Sequence, residues 1–475
     1  MISKKYFLTF ILILTIFFSE SSIKQDSVLN NTISKVIINK ININGNKKTK
    51  KNIITRELSF KEGQEFDKEK ILSMINEDKR KIINTNLFNE VNINIKLLLP
   101  DNKESQKADI DIDVIESFYW IPSILFELSD RNFNDWWQNF DHDLNRINYG
   151  LGLTQYNLTG KSDEFETTFR LGFIKEFYVS YYIPYLSKKQ KGGLKFNINY
   201  INYNHLEFNT ENYIPLFYKS KNSLKKHLIT SVEYSHRESF YNYHFFELKH
   251  NNINLNDSIF ILNTNYFSEI INSDLDYLSL SYEFDRDFRD FKNYPLEGFR
   301  LNVNIEKDGL GILGKLNKLK FRIYYSNYIK LKNNNYYSFN LSSMISSKNQ
   351  PYFIYEYTDN LRGYEKYLIH GHSNIIFKNT FKKQMIATTI SRNNDNYFRR
   401  IKNIPFKIYG KVFFDSGYVW KYDLSQNNLN LSNTYLYSYG IGFDFVTIKN
   451  LSFSSEISRN NQKIYNISFK VGADF

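Results

Sequence analysis

A group of ionisable side chains lies at the end of one predicted strand, where Asp285, Asp287 and Asp290 alternate with Arg286 and Arg289. Two neighbouring carboxylates in different environments could serve as a general acid and a general base. The alternation of sign instead favours ion pairs between neighbours. We therefore predict no catalytic acid/base couple here.

Two further patterns could indicate a cofactor. Gly309–Gly314 fits the G-x-G-x-x-G spacing of a dinucleotide site, but neither a helix nor the required acidic residue follows it. His370 and His372 could begin a metal site, but no nearby ligands complete it. The chain is therefore expected to be no enzyme and to need no metal or other cofactor.

The composition is typical of a membrane protein built from strands. The chain of 475 residues contains 37 Tyr and 41 Phe, and its mean hydropathy of −0.48 argues against a bundle of membrane helices. A transmembrane barrel carries many aromatic residues on its lipid face and at both membrane interfaces. The absence of cysteine excludes disulfides and thiolate metal sites.

The net charge of +12 comes from lysines and arginines spread along the whole chain. This distribution does not favour a nucleic-acid partner. One local excess lies between Lys35 and Lys81, with 13 basic and 7 acidic residues. It could be a solvated face or a contact with anionic lipid head groups.

The N-terminal part of the chain predicts a leader and one small domain. Lys4 and Lys5 precede the apolar run Tyr6–Phe18, so residues 1–22 are predicted to be a signal peptide. Residues 34–116 then show a β-α-α-β-β order of elements, with a first helix capped by Thr49. Its predicted segments are Val36–Ile43, a short helix carrying Ile54 and Leu58, Asp67–Asn84, Val91–Leu98 and Ile110–Ile115.

From residue 118 to 475 the apolar residues alternate with polar ones, as in Phe299–Glu306. In lipid every backbone group must be paired, so such strands must close into a barrel. The length predicts a transmembrane β-barrel of about 16 antiparallel strands, preceded by one small α+β domain. Trp136-Trp137 is placed near the junction of the two, with a membrane-interface anchor and a packing role left open.

Three motifs in the barrel region carry a family resemblance. They are the strand–turn–strand Asp285, Arg286, Asp287 with Pro295 and Gly298; the loop tip Leu361, Arg362, Gly363 and Tyr364; and the strand Phe413–Trp420 with Phe414, Asp415, Gly417 and Trp420. These motifs resemble those of the BamA/TamA outer-membrane assembly and translocation superfamily. The front domain of that superfamily is called a POTRA domain, and Ile43–Asn46 and Asn84–Phe88 resemble POTRA segments.

The resemblance implies a long loop that folds back into the barrel lumen. It implies that Arg362 pairs with Asp415, which the alternation places on the face opposite Phe414. An arginine in the lumen needs such a carboxylate, because an unpaired buried charge is costly. Gly363 would let the loop backbone approach the wall closely.

The last strand carries the remaining motif. Its end, Gly472 to Phe475, resembles the signal by which outer-membrane barrels are recognised for insertion. A terminal aromatic on an alternating strand can add to an open sheet edge by main-chain hydrogen bonds. Deletion of Phe475 is therefore expected to reduce insertion of this protein, as measured by its yield in the outer membrane.

By resemblance, the function is expected to be insertion or export of other proteins across the bacterial outer membrane, without nucleotide. The POTRA domain would lie in the periplasm, and the barrel would be monomeric. Expected partners are outer-membrane lipids, unfolded barrel or exported client proteins, and accessory lipoproteins. Two alternatives stay open: a two-partner secretion transporter, and a passive channel or receptor.

Overall fold

The structure is a computed structural model. It describes residues 35–99, 105–130, 133–187, 190–267, 274–348, 350–354, 361–391, 403–421, 431–447 and 450–471. The predicted signal peptide, Gly472 and Phe475 lie outside the described residues. Among the described residues, no helix has the length and apolar character needed to cross a membrane.

The N-terminal domain is one four-stranded sheet with two helices. Its strand order is β2-β1-β4-β3, with β1 parallel to β4 and the other neighbours antiparallel. The buried residues Ile71, Ile75 and Ile82 follow helical spacing on the second helix and pack on the sheet. The elements are β1 (Lys35–Asn44), α1 (Lys51–Thr55), β2 (Glu65–Asp67), α2 (Lys68–Ile83), β3 (Phe88–Leu97) and β4 (Ser105–Glu116).

Two details of this domain differ from the sequence prediction. The strand β2 was not predicted, because three largely exposed residues carry no alternation signal. Thr49 does not cap α1; its hydroxyl donates to the carboxylate of Glu116 at 2.7 Å, and Lys50 occupies the cap position without a side-chain bond. Leu58 lies beyond the end of the helix but is buried as expected.

The second unit is a sheet of 16 antiparallel strands in sequential order, which confirms the predicted strand number. The helix α3 (Phe133–Asn139), which follows the first strand of this sheet, contacts the last one, so the sheet curls into a barrel. Its strands are β5 (Trp120–Leu128), β6 (Ile147–Tyr156), β7 (Glu164–Gly172), β8 (Ile174–Ile183), β9 (Gly192–Tyr203), β12 (Lys225–Arg237), β13 (Asn242–Leu255), β14 (Asp274–Asp287), β15 (Gly298–Asp308), β16 (Lys318–Lys330), β17 (Asn335–Ser346), β18 (Ser373–Ser391), β19 (Asn403–Trp420), β20 (Tyr435–Val446), β21 (Ser452–Asn460) and β22 (Tyr465–Val471).

The two faces of the barrel wall differ as the alternation predicts. On β20 the side chains of Tyr437, Ile441 and Phe443 are exposed on the outside, whereas Ser438 and Asp444 are buried inside. Such an apolar outer face is suited to lipid. We call the end of the barrel next to the N-terminal domain the near rim and the opposite end the far rim.

The far rim is covered by loops. The hairpin of β10 (His205–Glu211) and β11 (Ile214–Lys219) and the helix α4 (Asp257–Leu262) contribute to this cover. One apolar cluster there contains Leu206, Ile259 and Phe267. Trp136-Trp137 lies on α3 at this rim, so its predicted position near the domain junction was wrong.

The N-terminal domain is held against the near rim by polar contacts with the turns and strand ends there. Arg237, at the end of β12, donates both terminal nitrogens to the carboxylate of Glu57 at 2.6 and 2.8 Å. Asn84 donates to the carbonyl of Asp290 in the β14–β15 turn at 3.3 Å. Both pairs lie at least 180 residues apart in sequence, so they fix the domain to the barrel as a tertiary contact.

Candidate functional site

The tip of the loop between β17 and β18 lies inside the barrel and is held there by a buried ion pair. Nε and Nη2 of Arg362 donate to the two oxygens of Asp415 at 2.7 and 2.6 Å. Nη1 of Arg362 lies 3.4 Å from Glu456 on β21, and Nη2 also donates to Thr380 on β18. Such a bidentate pair is typical of a guanidinium and a carboxylate. Because the pair is buried, removal of either partner would leave an unpaired charge inside the protein.

Gly363 lies against the barrel wall in a conformation that favours glycine. Its φ is +85°, and an added Cβ would stand 3.0 Å from the Cβ of Ser438. Its carbonyl accepts the side-chain amides of Asn460 at 2.7 Å and Asn466 at 2.6 Å. The loop tip therefore binds β21 and β22 through its backbone, in addition to the Arg362 side chain.

The neighbouring residues secure the loop from the far rim. The hydroxyl of Tyr364 donates to Asn461 at 2.7 Å, and Leu361 is buried in an apolar cluster. Tyr213, at the tip of the β10–β11 hairpin, accepts the amide of Leu368 on its carbonyl at 2.7 Å and the amide of Leu431 on its hydroxyl at 2.9 Å. The hairpin thus extends across the lumen and binds the β17–β18 loop at Leu368 and the β19–β20 loop at Leu431.

The strand motif on β19 divides between the two faces of the wall. Asp415 and Gly417 face the lumen, whereas the side chains of Phe414 and Trp420 are exposed on the outside; the carbonyl of Trp420 accepts the amide of His372 at the end of the loop at 3.0 Å. The aromatic ring that packs on the guanidinium of Arg362 belongs to Phe413, with its centroid 3.9 Å away. Sequence reasoning selected Phe414 instead, although the same alternation places Phe413 on the face of Asp415.

A series of buried ion pairs continues from the loop tip toward the near rim. Lys411 lies 2.8 Å from Glu456 and 2.5 Å from Asp444, and Lys382 lies 3.1 Å from Asp444. The hydroxyl of Tyr294 donates to Asp444 at 2.7 Å. We call this series the buried charge chain; its members are Arg362, Asp415, Glu456, Lys411, Asp444, Lys382 and Tyr294.

The strand–turn motif provides the near-rim end of this chain. Tyr294 inserts into the barrel from the β14–β15 turn, and Gly298 begins β15 with a φ of +97°. Asp285 accepts Arg300 at 2.7 Å, and Asp287 pairs with Arg289. The prediction of ion pairs between neighbours is confirmed for Asp287, whereas Asp285 pairs with a residue of the next strand. For Asp290 the prediction was wrong, because its carboxylate accepts the backbone amides of Phe291 and Leu296 in the turn.

The other two residues of this motif have no part in the ion pairs just described. Arg286 is exposed, with its guanidinium over the ring of Phe288. Pro295 follows Tyr294 in the turn. Lys411, Asp444 and Glu456 were not predicted from the sequence. Each is a single charged residue at an inward position, and polar residues are common at such positions in any membrane barrel.

The two ends of the 16-stranded sheet differ in their surroundings. Among the described residues, no ladder joins β5 to β22. Residues of β5 are exposed on both faces, including Ile121 and Ile124. On β22 the inward residues Asn466 and Ser468 are buried, and Ser468 donates to Glu456 at 3.2 Å.

Comparison with family models identifies both units. Residues 36–117 match a model described as POTRA, surface antigen variable number repeat. Residues 148–475, more than half of the chain, match the Omp85 superfamily domain. The chain belongs to the Omp85 superfamily. The predicted resemblance is confirmed, with one POTRA domain in front of the barrel.

Solved structures show the same fold. BamA from Haemophilus ducreyi lacking POTRA domains 1–3 is 15% identical, with 92% of this chain and 84% of that chain covered and a TM-score of 0.52. CdiB from Escherichia coli is 10% identical, with 92% and 76% covered and a TM-score of 0.56. No curated protein sequence matches the chain. Membership in the Omp85 superfamily supports outer-membrane protein assembly or translocation as the class of function.

Proposed function

We propose that this protein inserts client proteins into the outer membrane by pairing their strands with the edge of β5, without a nucleotide. The observation that carries the proposal is the edge itself, which has a ladder to β6 on one side and none to β22 among the described residues. An unpaired strand in lipid leaves backbone groups unsatisfied at several kcal/mol each. A client strand added to β5 would satisfy them.

The N-terminal domain offers a second pairing surface. β3 stands at one edge of its sheet and pairs with β4 alone among the described strands. An extended client segment could add to this edge before it reaches the barrel. In this proposal, a client segment first pairs with β3 in the periplasm and is then inserted into the membrane at β5.

The proposed setting follows from these roles. The barrel would span the bacterial outer membrane as a monomer, with the POTRA domain and the near rim in the periplasm and the far rim at the cell surface. Its partners would be outer-membrane lipids and unfolded barrel or exported client proteins. Accessory lipoproteins could deliver such clients to the domain.

The contents of the lumen bear on the alternative functions. The loop tip around Arg362 occupies the barrel interior, and an apolar cluster covers the far rim. These groups narrow the path that a passive channel would use, and a two-partner transporter would have to release the buried ion pair before a client could pass. The geometry thus supports the sheet edge, rather than the lumen, as the working surface.

The test is insertion of an unfolded barrel protein into liposomes that contain the purified full chain. Since the chain has no cysteine, one cysteine in β5 and one in β22 can be joined by a reversible cross-linker. We expect cross-linking to reduce the insertion rate to that of empty liposomes, and cleavage of the linker to restore it.

The matched control joins two strands that are already paired. Cysteines at Leu248 and Leu280, which are partners in the β13–β14 ladder, should leave the rate unchanged when cross-linked. Insertion that continues at the full rate with β5 and β22 joined would contradict the proposal. Conductance of a planar bilayer without a client would instead favour the channel.

A further inference from the structure

A patch of lysines lies where the N-terminal domain meets the barrel. Four of them stand within five residues: Lys47, Lys48 and Lys50 lie between β1 and α1, and Lys51 begins α1. Lys161 stands in the facing β6–β7 turn. All five are exposed. We call these five residues the lysine patch.

The backbone beneath the lysine patch is fixed. The carboxylate of Glu116 accepts the amides of Lys48 and Thr49 at 3.0 and 2.7 Å. The amide of Lys50 donates to the carbonyl of Gly160 at 3.0 Å, and Asn157 donates to the hydroxyl of Thr49 at 2.9 Å. The patch therefore has a defined position relative to the first near-rim turn of the barrel.

That position is the level at which a membrane surface would meet the barrel. Lys48 Nζ lies 5.6 Å from the ring centroid of Tyr119, the residue before β5. Trp120, the first residue of β5, is 63% exposed, and Leu158 in the β6–β7 turn is 45% exposed. Exposed aromatic and apolar residues beside lysines are typical of a protein surface at a lipid headgroup layer.

Two carboxylates next to the backbone of the patch are buried and do not neutralise its outer surface, whereas Asp113 is exposed and accepts the side-chain amide of Asn44. Glu116 is buried beneath the loop. Asp163 is buried in the β6–β7 turn and accepts the amide of Thr159 and the hydroxyl of Tyr181, both at 2.9 Å. Both acids are directed into the protein, while the lysine side chains are directed out of it.

We infer that the lysine patch binds the phosphate groups of anionic phospholipids in the leaflet on the near-rim side, at the foot of β5. Clustered lysines beside a membrane attract anionic headgroups by about 1 kcal/mol per residue near the surface, or about fivefold in affinity for each lysine. The patch would gather such lipids beside the sheet edge. The inference goes beyond the proposed function and requires no client.

The absence of cysteine allows a local test in the full chain. A fluorophore is placed on Leu158→Cys, and the protein is reconstituted in phosphatidylcholine vesicles containing nitroxide-labelled lipid. We expect nitroxide-labelled phosphatidylglycerol to quench the fluorophore at no more than about one fifth of the concentration that labelled phosphatidylcholine requires, which is the effect of a single lysine. The preference should weaken as salt rises, because exposed charges are screened.

Two variants that each remove three positive charges distinguish lipid binding at the patch from a general attraction between the basic protein and anionic lipid. The variant Lys47→Gln/Lys48→Gln/Lys50→Gln should lose the preference. The control Lys40→Gln/Lys61→Gln/Lys70→Gln should keep it; its residues are also exposed, and α2 places Lys70 roughly 20 Å from the near-rim contact of Asn84. Equal quenching by both lipids in the parent protein, or an equal loss in both variants, would overturn the inference. Neither result depends on insertion of a client, so the proposed function would be unaffected.

Discussion

Among the described residues, the first and last strands of the barrel are both edge strands of one sheet, yet of the two only the last is bound by the loop in the lumen. On β5, Ile124 is 85% exposed and Ile121 on the other face is also exposed. On β22, Asn466 is 1% exposed and bonds the carbonyl of Gly363. The difference comes from the loop, which binds β18, β19, β21 and β22 but has no bond to β5 among those described.

The comparison indicates which edge can change partners at low cost. Displacement of β22 would break the bond from the Asn466 amide to the Gly363 carbonyl and expose Glu456, which lies 3.2 Å from Lys470 of β22. The edge of β5 that faces away from β6 has no ladder bond between described residues, and none of the loop bonds described above involves β5. We therefore expect client strands to pair with β5, while β22 stays with the loop.

The largest effect is expected from Arg362→Ala, which should make β22 as weakly protected from hydrogen exchange as β5. Loss of the guanidinium leaves Asp415 and Glu456 buried without it, at a cost of about 3–5 kcal/mol. Hydrogen exchange should then show amides of β22 exchanging nearly as fast as those of β5. Urea unfolding of the purified barrel measures the loss in the free energy of unfolding.

The double variant with Asp415→Ala tests whether the two residues act as a pair. Its loss should be no greater than that of either single variant, because the second change removes the carboxylate left unpaired by the first. Strictly additive losses would refute the pairing as the source of the effect. Insertion activity should fall in all three variants.

A smaller effect is expected from Gly363→Ala. A non-glycine residue at this φ, with its Cβ close to Ser438, should cost about 1–3 kcal/mol. The change leaves every charge in place, so it separates the fit of the loop backbone from the ion pair. Protection of β22 should decrease and protection of β5 should not change; an unaltered β22 would show that backbone contact does not anchor it.

Asn466→Ala should have a still smaller effect, confined to β22. It removes one of the two amides that bind the Gly363 carbonyl, worth about 1 kcal/mol. The matched control is Ser123→Ala on the exposed strand β5, for which no change in stability is expected. Equal losses at both positions would contradict the asymmetry between the two edges.

The smallest effect is the pH dependence of stability that comes from Glu116, which lies at the end of β4 just before β5. Burial opposes the charged form of Glu116, but the bonds from Thr49 and Lys48 outweigh it and lower the pKa of Glu116 below the usual 4.5. Its stabilising contribution is therefore complete above pH 4.5 and is lost as the pH falls through the lower value of the folded state. Denaturation in acid, compared between the parent and Glu116→Gln, should show a steeper loss in the parent.

The sequence predicts which residues of the barrel wall face inward or outward better than it predicts the contacts between side chains in the lumen. Alternation on β19 correctly separates Asp415 from Phe414, because the period of two fixes which face each residue takes. The family motifs led to Arg362 and its partner. The bonds of Lys411 to Asp444 and Glu456 depend on how neighbouring strands are aligned, which the local pattern does not contain. The far-rim position of Trp136 escaped prediction for the same reason.

The buried charge chain also determines when the barrel can be completed. Arg362 binds Asp415 and Glu456, which follow it by 53 and 94 residues. Contacts between residues so far apart in sequence form late in folding, because a long loop must first be closed. The arginine cannot gain its second carboxylate until β21 has joined the sheet. Closure of the lumen is thus a late event that reports the arrival of the last strands.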